Sequence, residues 1–340
     1  MAAGGRGQRS MRKIVAYVLA WVAGAVMVSC SQETRTEEPP SGTVRSETSS
    51  RLEVHAVNYP LQYFAQRIGG ERVVAVFPAP TGVDPAIWSP APETVAAYQG
   101  ADLLLLNGAG YAQWVQRASL APSRLVDTSK AFRSRYIPLE DTVTHGHGPT
   151  GEHSHEGFAF TTWLDPALAV EQARAVLQAF IEKQPEHEAR FEEGFESLEA
   201  DLLALDRSWA DWAEAVGDAP LFFSHPVYQY FARRYGLNAI SLHWEPDAQP
   251  DESQWRHLEE LRRDHEARWM IWESEPIHAS AEGLRSLGIE SVVFATCANA
   301  PDEGDYLTVM RRAVDTLRGH AISKRESRPA PSLPGAPTRN

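Results

Sequence analysis

The chain is poor in cysteine and poor in positive charge, and its one long apolar run near the start falls short of a bilayer. Each shortage closes off a class of protein. Two cysteines in 340 residues, Cys30 and Cys297, cannot build a disulfide framework. The formal net charge is −13, with 32 basic against 45 acidic residues, so the surface would meet nucleic-acid phosphates with the wrong sign. The apolar run, residues 14–28, is too short for a spanning helix, which needs about 20 residues. Catalytic signatures are missing as well. There is no G-x-S-x-G, no H-E-x-x-H, no Walker loop and no G-x-G-x-x-G after a strand, so no catalytic residue is assigned and the chain does not read as an enzyme. Gly108-Ala109-Gly110 follows an apolar strand but is too short to cradle a phosphate.

What is present begins with a targeting segment. Arg12 and Lys13 precede the apolar run, which has the length of a secretory h-region. Met11-Arg12-Lys13 would open a compact signal by itself. The run ends Met27-Val28-Ser29-Cys30, which resembles the lipobox of bacterial lipoproteins. That resemblance implies cleavage before Cys30, lipidation of its sulfur, and an exported periplasmic or cell-surface protein held to the membrane through that lipid. A plain signal peptide or an apolar anchor helix is the alternative. All charge in the first thirty residues is basic, and its removal leaves 28 basic against 45 acidic residues. With Cys30 lipidated, Cys297 stands alone in an apolar run over 292–297, where it reads as a small buried side chain. Residues 30–50 are rich in Ser, Thr, Glu and Pro, and read as a flexible tether; residues 321–340 read as a disordered tail for the same reason.

Between these ends the pattern predicts an α/β fold of two lobes, each a mostly parallel sheet flanked by helices. The first lobe covers 51–184. Its strands are read at 52–57, 73–77, 102–106 and 124–126, and its helices at 59–68 and 92–99. The second lobe covers 217–320, with strands at 221–224, 238–242, 269–272 and 291–294 and helices at 227–235, 252–265, 279–287 and 305–318. One long helix over 185–216 links them. Phe191, Phe195, Leu198, Leu202, Leu205, Trp209, Trp212 and Val216 recur in steps of four and three, which keeps one stripe on one face of a rod roughly 45 Å long.

Ligands of open parallel sheets sit beyond the carboxyl ends of the strands. In the second lobe those ends carry His225, then His243 and Glu245, then Glu273 and Glu275. Imidazole with carboxylate suits zinc and related first-row metals. The first lobe offers Asp84 in a Thr-Gly-Val-Asp-Pro loop; His55 lies inside a strand and reads as packed. A separate tract holds His145, His147, His153 and His155 among glycines, two H-x-H pairs suited to secondary, exchangeable metal capture.

Several stretches together resemble the metal-specific (zinc and manganese) solute-binding proteins of ABC importers. They are NYPLQYFAQRIGG, GVDPAIWSPAPETVAAYQGADLLLLNGAGYAQWV, the His-rich loop followed by TTWLDPALA, FFSHPVYQYFARRYGL, and WMIWESEPIHASAEGLRSLGI. The resemblance implies two lobes on a rigid backbone helix, a metal held between them, an ABC permease as partner, and a monomer. It also implies His225 as one ligand and Glu275, beside Pro276, as another. Two positions depart from it: Ala86 stands where a D-P-H histidine is usual, and Thr161 where a histidine precedes W-L-D-P. A relocated site of His225, Glu275, His243 and Glu245 is therefore expected, with Asp84 or the His-rich loop completing it. The expected cargo is Zn2+, before Mn2+, because His225 brings nitrogen. A scaffold that has lost metal is the competing reading. It would hold an organic or metal–chelate ligand against Trp88, Trp163, Trp244 and Trp272, or serve as an adhesin.

Overall fold

The computed structural model describes residues 51–139, 144–146, 152–154 and 157–326. All belong to one compact unit, Ser49–Asn340. The signal segment 1–29, Cys30 and its tether, His147, His155 and residues 327–340 lie outside the described residues. Among the described residues, no helix is long and apolar enough to cross a membrane.

The first lobe is a parallel sheet of β1 (Leu52–Ala56), β2 (Val73–Val76), β3 (Leu103–Leu106) and β4 (Leu125–Asp127), in the order β2-β1-β3-β4. Leu103, Leu104 and Leu105 are all buried, because helices cover both faces of a parallel sheet. Between β1 and β2 runs α1 (Tyr59–Gly69), capped by Asn58, whose side chain accepts from the Leu61 amide at 3.1 Å. Between β2 and β3 lies α2 (Pro92–Gly100). A short antiparallel hairpin, β5 (Thr144–Gly146) with β6 (Glu152–Ser154), pairs the backbone of His145 with that of His153.

Next comes α3 (Pro166–Lys183), to which the sequence pattern assigns no element. Asp165 caps it, accepting from the amides of Ala167 and Leu168, and Pro166 occupies its first turn. The long helix α4 (Glu188–Val216) follows a 3-10 turn at Pro185–His187, so the α-helix proper starts three residues later than the periodicity suggests. Its predicted stripe is buried from Phe191 to Trp212. Gly194 lets α4 lie against the end of α1: a Cβ there would stand 2.5 Å from the Ile68 carbonyl oxygen.

The second lobe repeats the design with β7 (Leu221–Phe223), α5 (Gln229–Tyr235), β8 (Ala239–Ser241), α6 (Glu252–Leu261), β9 (Trp269–Trp272), α7 (His278–Ser286), β10 (Glu290–Val293) and α8 (Tyr306–Glu326). Its sheet is also parallel, in the order β10-β9-β7-β8. The last helix runs to Glu326, beyond the expected end at 318, which takes residues 321–326 out of the expected tail.

One hydrophobic cluster runs through both lobes and α4, from Val54 and Leu104 through Leu198 and Trp209 to Phe223 and Phe294. Polar contacts join the lobes as well. The Trp163 indole donates to the Thr296 carbonyl at 2.7 Å, and the Tyr306 hydroxyl donates to the Trp163 carbonyl at 2.7 Å. The Tyr230 hydroxyl donates to the Ala159 carbonyl at 2.9 Å. The lobes are thus one packed body.

Candidate metal centre

Strand order fixes where the site can be. In the second sheet the chain passes from β7 to β8 on one side and then crosses back to β9 on the other, so the order reverses between β7 and β9. A crevice opens at the carboxyl ends beside such a reversal. Phe223 pairs with Ile271 of β9 and with Ser241 of β8. The pairing continues past the strands, with the Ser224 amide donating to the Ile271 carbonyl and the Trp244 amide to the Ser224 carbonyl. Carried forward two residues, this register sets His225 level with Glu273 on one side and His243 on the other.

The alternation of side chains then sorts the segment after β8. Ser241, His243 and Glu245 line the cleft, while Leu242 and Trp244 turn into the second hydrophobic cluster with Leu258, Met270 and Trp272. Trp244 and Trp272 are therefore core residues, not cleft walls. Trp88 packs against the main core outside the cleft. Of the expected aromatic wall only Trp163 reaches the cavity, and its nitrogen is already bound to Thr296.

Ligand atoms of His225, Glu245 and Glu273 all lie within 4.8 Å of one another. A point no more than about 2.8 Å from all three follows from that spacing, so inward shifts of under about 1 Å would give zinc–ligand bonds of about 2.0–2.2 Å. The Nδ1 of His225 is 3.5 Å from Oε1 of Glu245. Glu275 is not in the group: it is exposed and outside the cavity, because the chain turns at Pro276 and the Ile277 amide binds the Pro246 carbonyl. The carboxylate at this strand end is Glu273, two residues earlier. His243 lines the cavity with its ring centroid 6.2 Å from that of His225, outside the three-donor group. Its backbone is held by α6, where Gln254 closes the capping box with Asp251 and donates to the His243 carbonyl at 2.8 Å.

The cavity above these donors has a volume of about 980 Å³ and is walled by both lobes. Asp84 lines it from the first lobe, its carboxylate accepting from the Ala86 amide at 2.9 Å. Burial, then the charges of Glu245, Asp84 and Asp247, push the Glu273 carboxyl up to about 8. Both influences favour the protonated form of this carboxyl, and a cation beside it would act in the opposite sense. Burial, with Asp84 nearby, also pushes the Tyr111 hydroxyl up. The two substituted positions are occupied structurally: Ala86 is buried in the main core, and the Thr161 hydroxyl donates to the Val227 carbonyl across the lobes. His55 is packed, 3.0 Å from Glu53 and edge-on to Tyr98. Cys297 is buried on the cavity wall. The described part of the His-rich tract is the β5–β6 backbone.

Two parallel lobes on one continuous helix, with nitrogen and oxygen donors at a strand-order reversal, define a solute-binding receptor of the helical-backbone kind. The chain belongs to the family described as zinc-uptake complex component A, periplasmic, whose model matches residues 54–319. It is 25% identical over 306 residues to the high-affinity zinc uptake system protein ZnuA of Bacillus subtilis, covering 84% of this chain and 92% of that one. It is 22% identical over 317 residues to the zinc-binding lipoprotein AdcA of Streptococcus pneumoniae, covering 90% of this chain but only 60% of that longer protein. Its fold matches the crystal structure of the metal-dependent lipoprotein YcdH of Bacillus subtilis with a TM-score of 0.68 at 22% identity, over 79% of this chain and 98% of that one.

Proposed function

We propose that the protein is an exported, lipid-anchored receptor that binds zinc in the interlobe cleft and hands it to an ABC permease. The observation that carries this reading is the convergence of His225, Glu245 and Glu273. One neutral imidazole and two carboxylates neutralise a divalent cation, and the nitrogen favours zinc over manganese. The names of the relatives, a zinc uptake protein and a zinc-binding lipoprotein, support the same cargo. Cys30 is the anchoring residue in this reading, and a Cys30→Ala chain would leave the membrane fraction. Three donors from one lobe replace the family's usual set, in which Ala86 and Thr161 would be histidines. Elemental analysis of protein purified without chelator should find zinc at one ion per chain. Replacing His225 with Ala should lower zinc affinity at least tenfold, the scale of one lost ligand. An unchanged titration would reject the assignment.

A further inference from the structure

Among the described residues, the first lobe brings one carboxylate to the cleft wall, that of Asp84. It is exposed, and it stands outside the group formed by His225, Glu245 and Glu273. Its charge still acts on that group, since Asp84 is one of the three acids that raise Glu273. A carboxylate need not touch an ion to favour its capture, because the attraction falls only as the inverse of distance. What it needs is a fixed place, and an exposed loop does not supply one unaided.

The opposite lobe supplies the anchor. Residues 80–83, just before Asp84, form a turn in which the Val83 amide donates to the Pro80 carbonyl at 3.4 Å. Gly82 takes a φ of +76° there, as the third position of such a turn requires. Both ends of the turn are tied to one side chain of the second lobe. The Asn299 side-chain nitrogen donates to the Pro80 carbonyl and to the Val83 carbonyl, each at 2.8 Å. That uses both of its protons, and the Asn299 side-chain oxygen accepts from the Ala300 amide at 2.7 Å. The segment that carries Asn299 follows β10 and is itself held by the first lobe. The Trp163 indole donates to the Thr296 carbonyl at 2.7 Å, and the Tyr59 amide to the Ala298 carbonyl at 3.0 Å. Residues 296–299 thus form a strap across the lobes, and its last residue grips the turn from which Asp84 emerges.

We propose that Asn299 is a positioning residue for metal capture: by clamping the turn at 80–83 from the opposite lobe, it holds the Asp84 carboxylate at the cleft, where its charge adds to the pull of Glu245 and Glu273 on the ion. This rests on the metal-receptor reading above. The test titrates zinc at low ionic strength into the wild-type chain, Asn299→Ala, Asp84→Asn and the double variant, with His225→Ala as the reference for a lost donor. Asn299→Ala and Asp84→Asn should each weaken zinc binding about threefold to fivefold. The double variant should bind no more weakly than Asp84→Asn alone, because the clamp then has no charge to place. Both single losses should shrink at high salt, which screens an exposed carboxylate. The contact with Pro80 is exposed and that with Val83 half-buried, so water replaces the lost donor and the fold persists. Should the alanine variant fail to fold, Gly82→Ala strains the same turn with open space for its Cβ, and should show the same dependence on Asp84. A loss in Asn299→Ala that is equal whether or not Asp84 has been replaced, or no loss at all, would overturn the positioning role, while a tenfold loss in His225→Ala would leave the receptor standing. A wild-type chain that takes up no zinc would overturn both.

Discussion

Replacing Glu273 with Gln should stabilise the metal-free protein and weaken zinc capture in the same variant. The folded cleft raises this carboxyl from 4.5 to about 8, first through burial and then through Glu245, Asp84 and Asp247. A raised acid means that the folded chain binds more protons than the unfolded chain between those two values. Wild-type stability therefore falls as pH rises through that window, and the full penalty is present above it. At about 1.4 kcal/mol per pH unit the ceiling is roughly 5 kcal/mol. The effective dielectric of a cleft open to solvent is well above that of a dry interior, which reduces the expected benefit for the glutamine to about 2 kcal/mol. For a unit spanning Ser49–Asn340 that is a rise in Tm of about 3 °C. Calorimetry of the chelator-treated protein should show the two chains alike near pH 5 and diverging towards pH 8.5. In parallel, a zinc titration near pH 7.5 should weaken at least tenfold, because a neutral amide replaces a ligating carboxylate. Melting curves that coincide at every pH, or an unchanged zinc affinity, would refute the reasoning.

Three further outcomes follow from the packing. Glu275→Gln should leave zinc affinity within about twofold, as expected of an exposed group away from the site, and a titration decides it. Gln254→Ala should cost about 1 kcal/mol in chemical denaturation by opening the α6 capping box, and should weaken zinc binding severalfold by freeing the His243 backbone two residues before the donor Glu245. Gly194→Ala should destabilise by about 1–3 kcal/mol, the scale of overpacking. In an open helix the same change would stabilise by about 1 kcal/mol; here the added Cβ meets the Ile68 carbonyl at 2.5 Å, and a thermal melt reads the sign.

Much of this architecture was legible from periodicity. The two parallel sheets and the buried stripe of α4 follow from apolar runs and from steps of four and three. The site was legible to the level of strand ends, because ligands of parallel sheets gather there, and His225, His243 and Glu245 do line the cleft. The choice between Glu273 and Glu275 was not legible. The two share one parity of the strand alternation, so the choice depends on where β9 stops and on the turn at Pro276. The place of Trp244 is set by the alternation through Leu242–Glu245, which gives the cleft to His243 and Glu245 and the core to Trp244. Helix α3 escaped because its many alanines leave a weak stripe, although Asp165-Pro166 is an opening signal.

The unbroken apolar core through both lobes has a consequence for signalling. A receptor whose halves share one interior melts as a single cooperative unit, so an ion bound at one strand end should raise the transition of the entire fold rather than of half of it. Closing like a jaw would have to break this shared packing and the hydrogen bonds across it. In the proposed receptor, a bound cation would instead be read at the rim of the cleft, where it would offset the mutual repulsion of Asp84, Asp247 and Asp302.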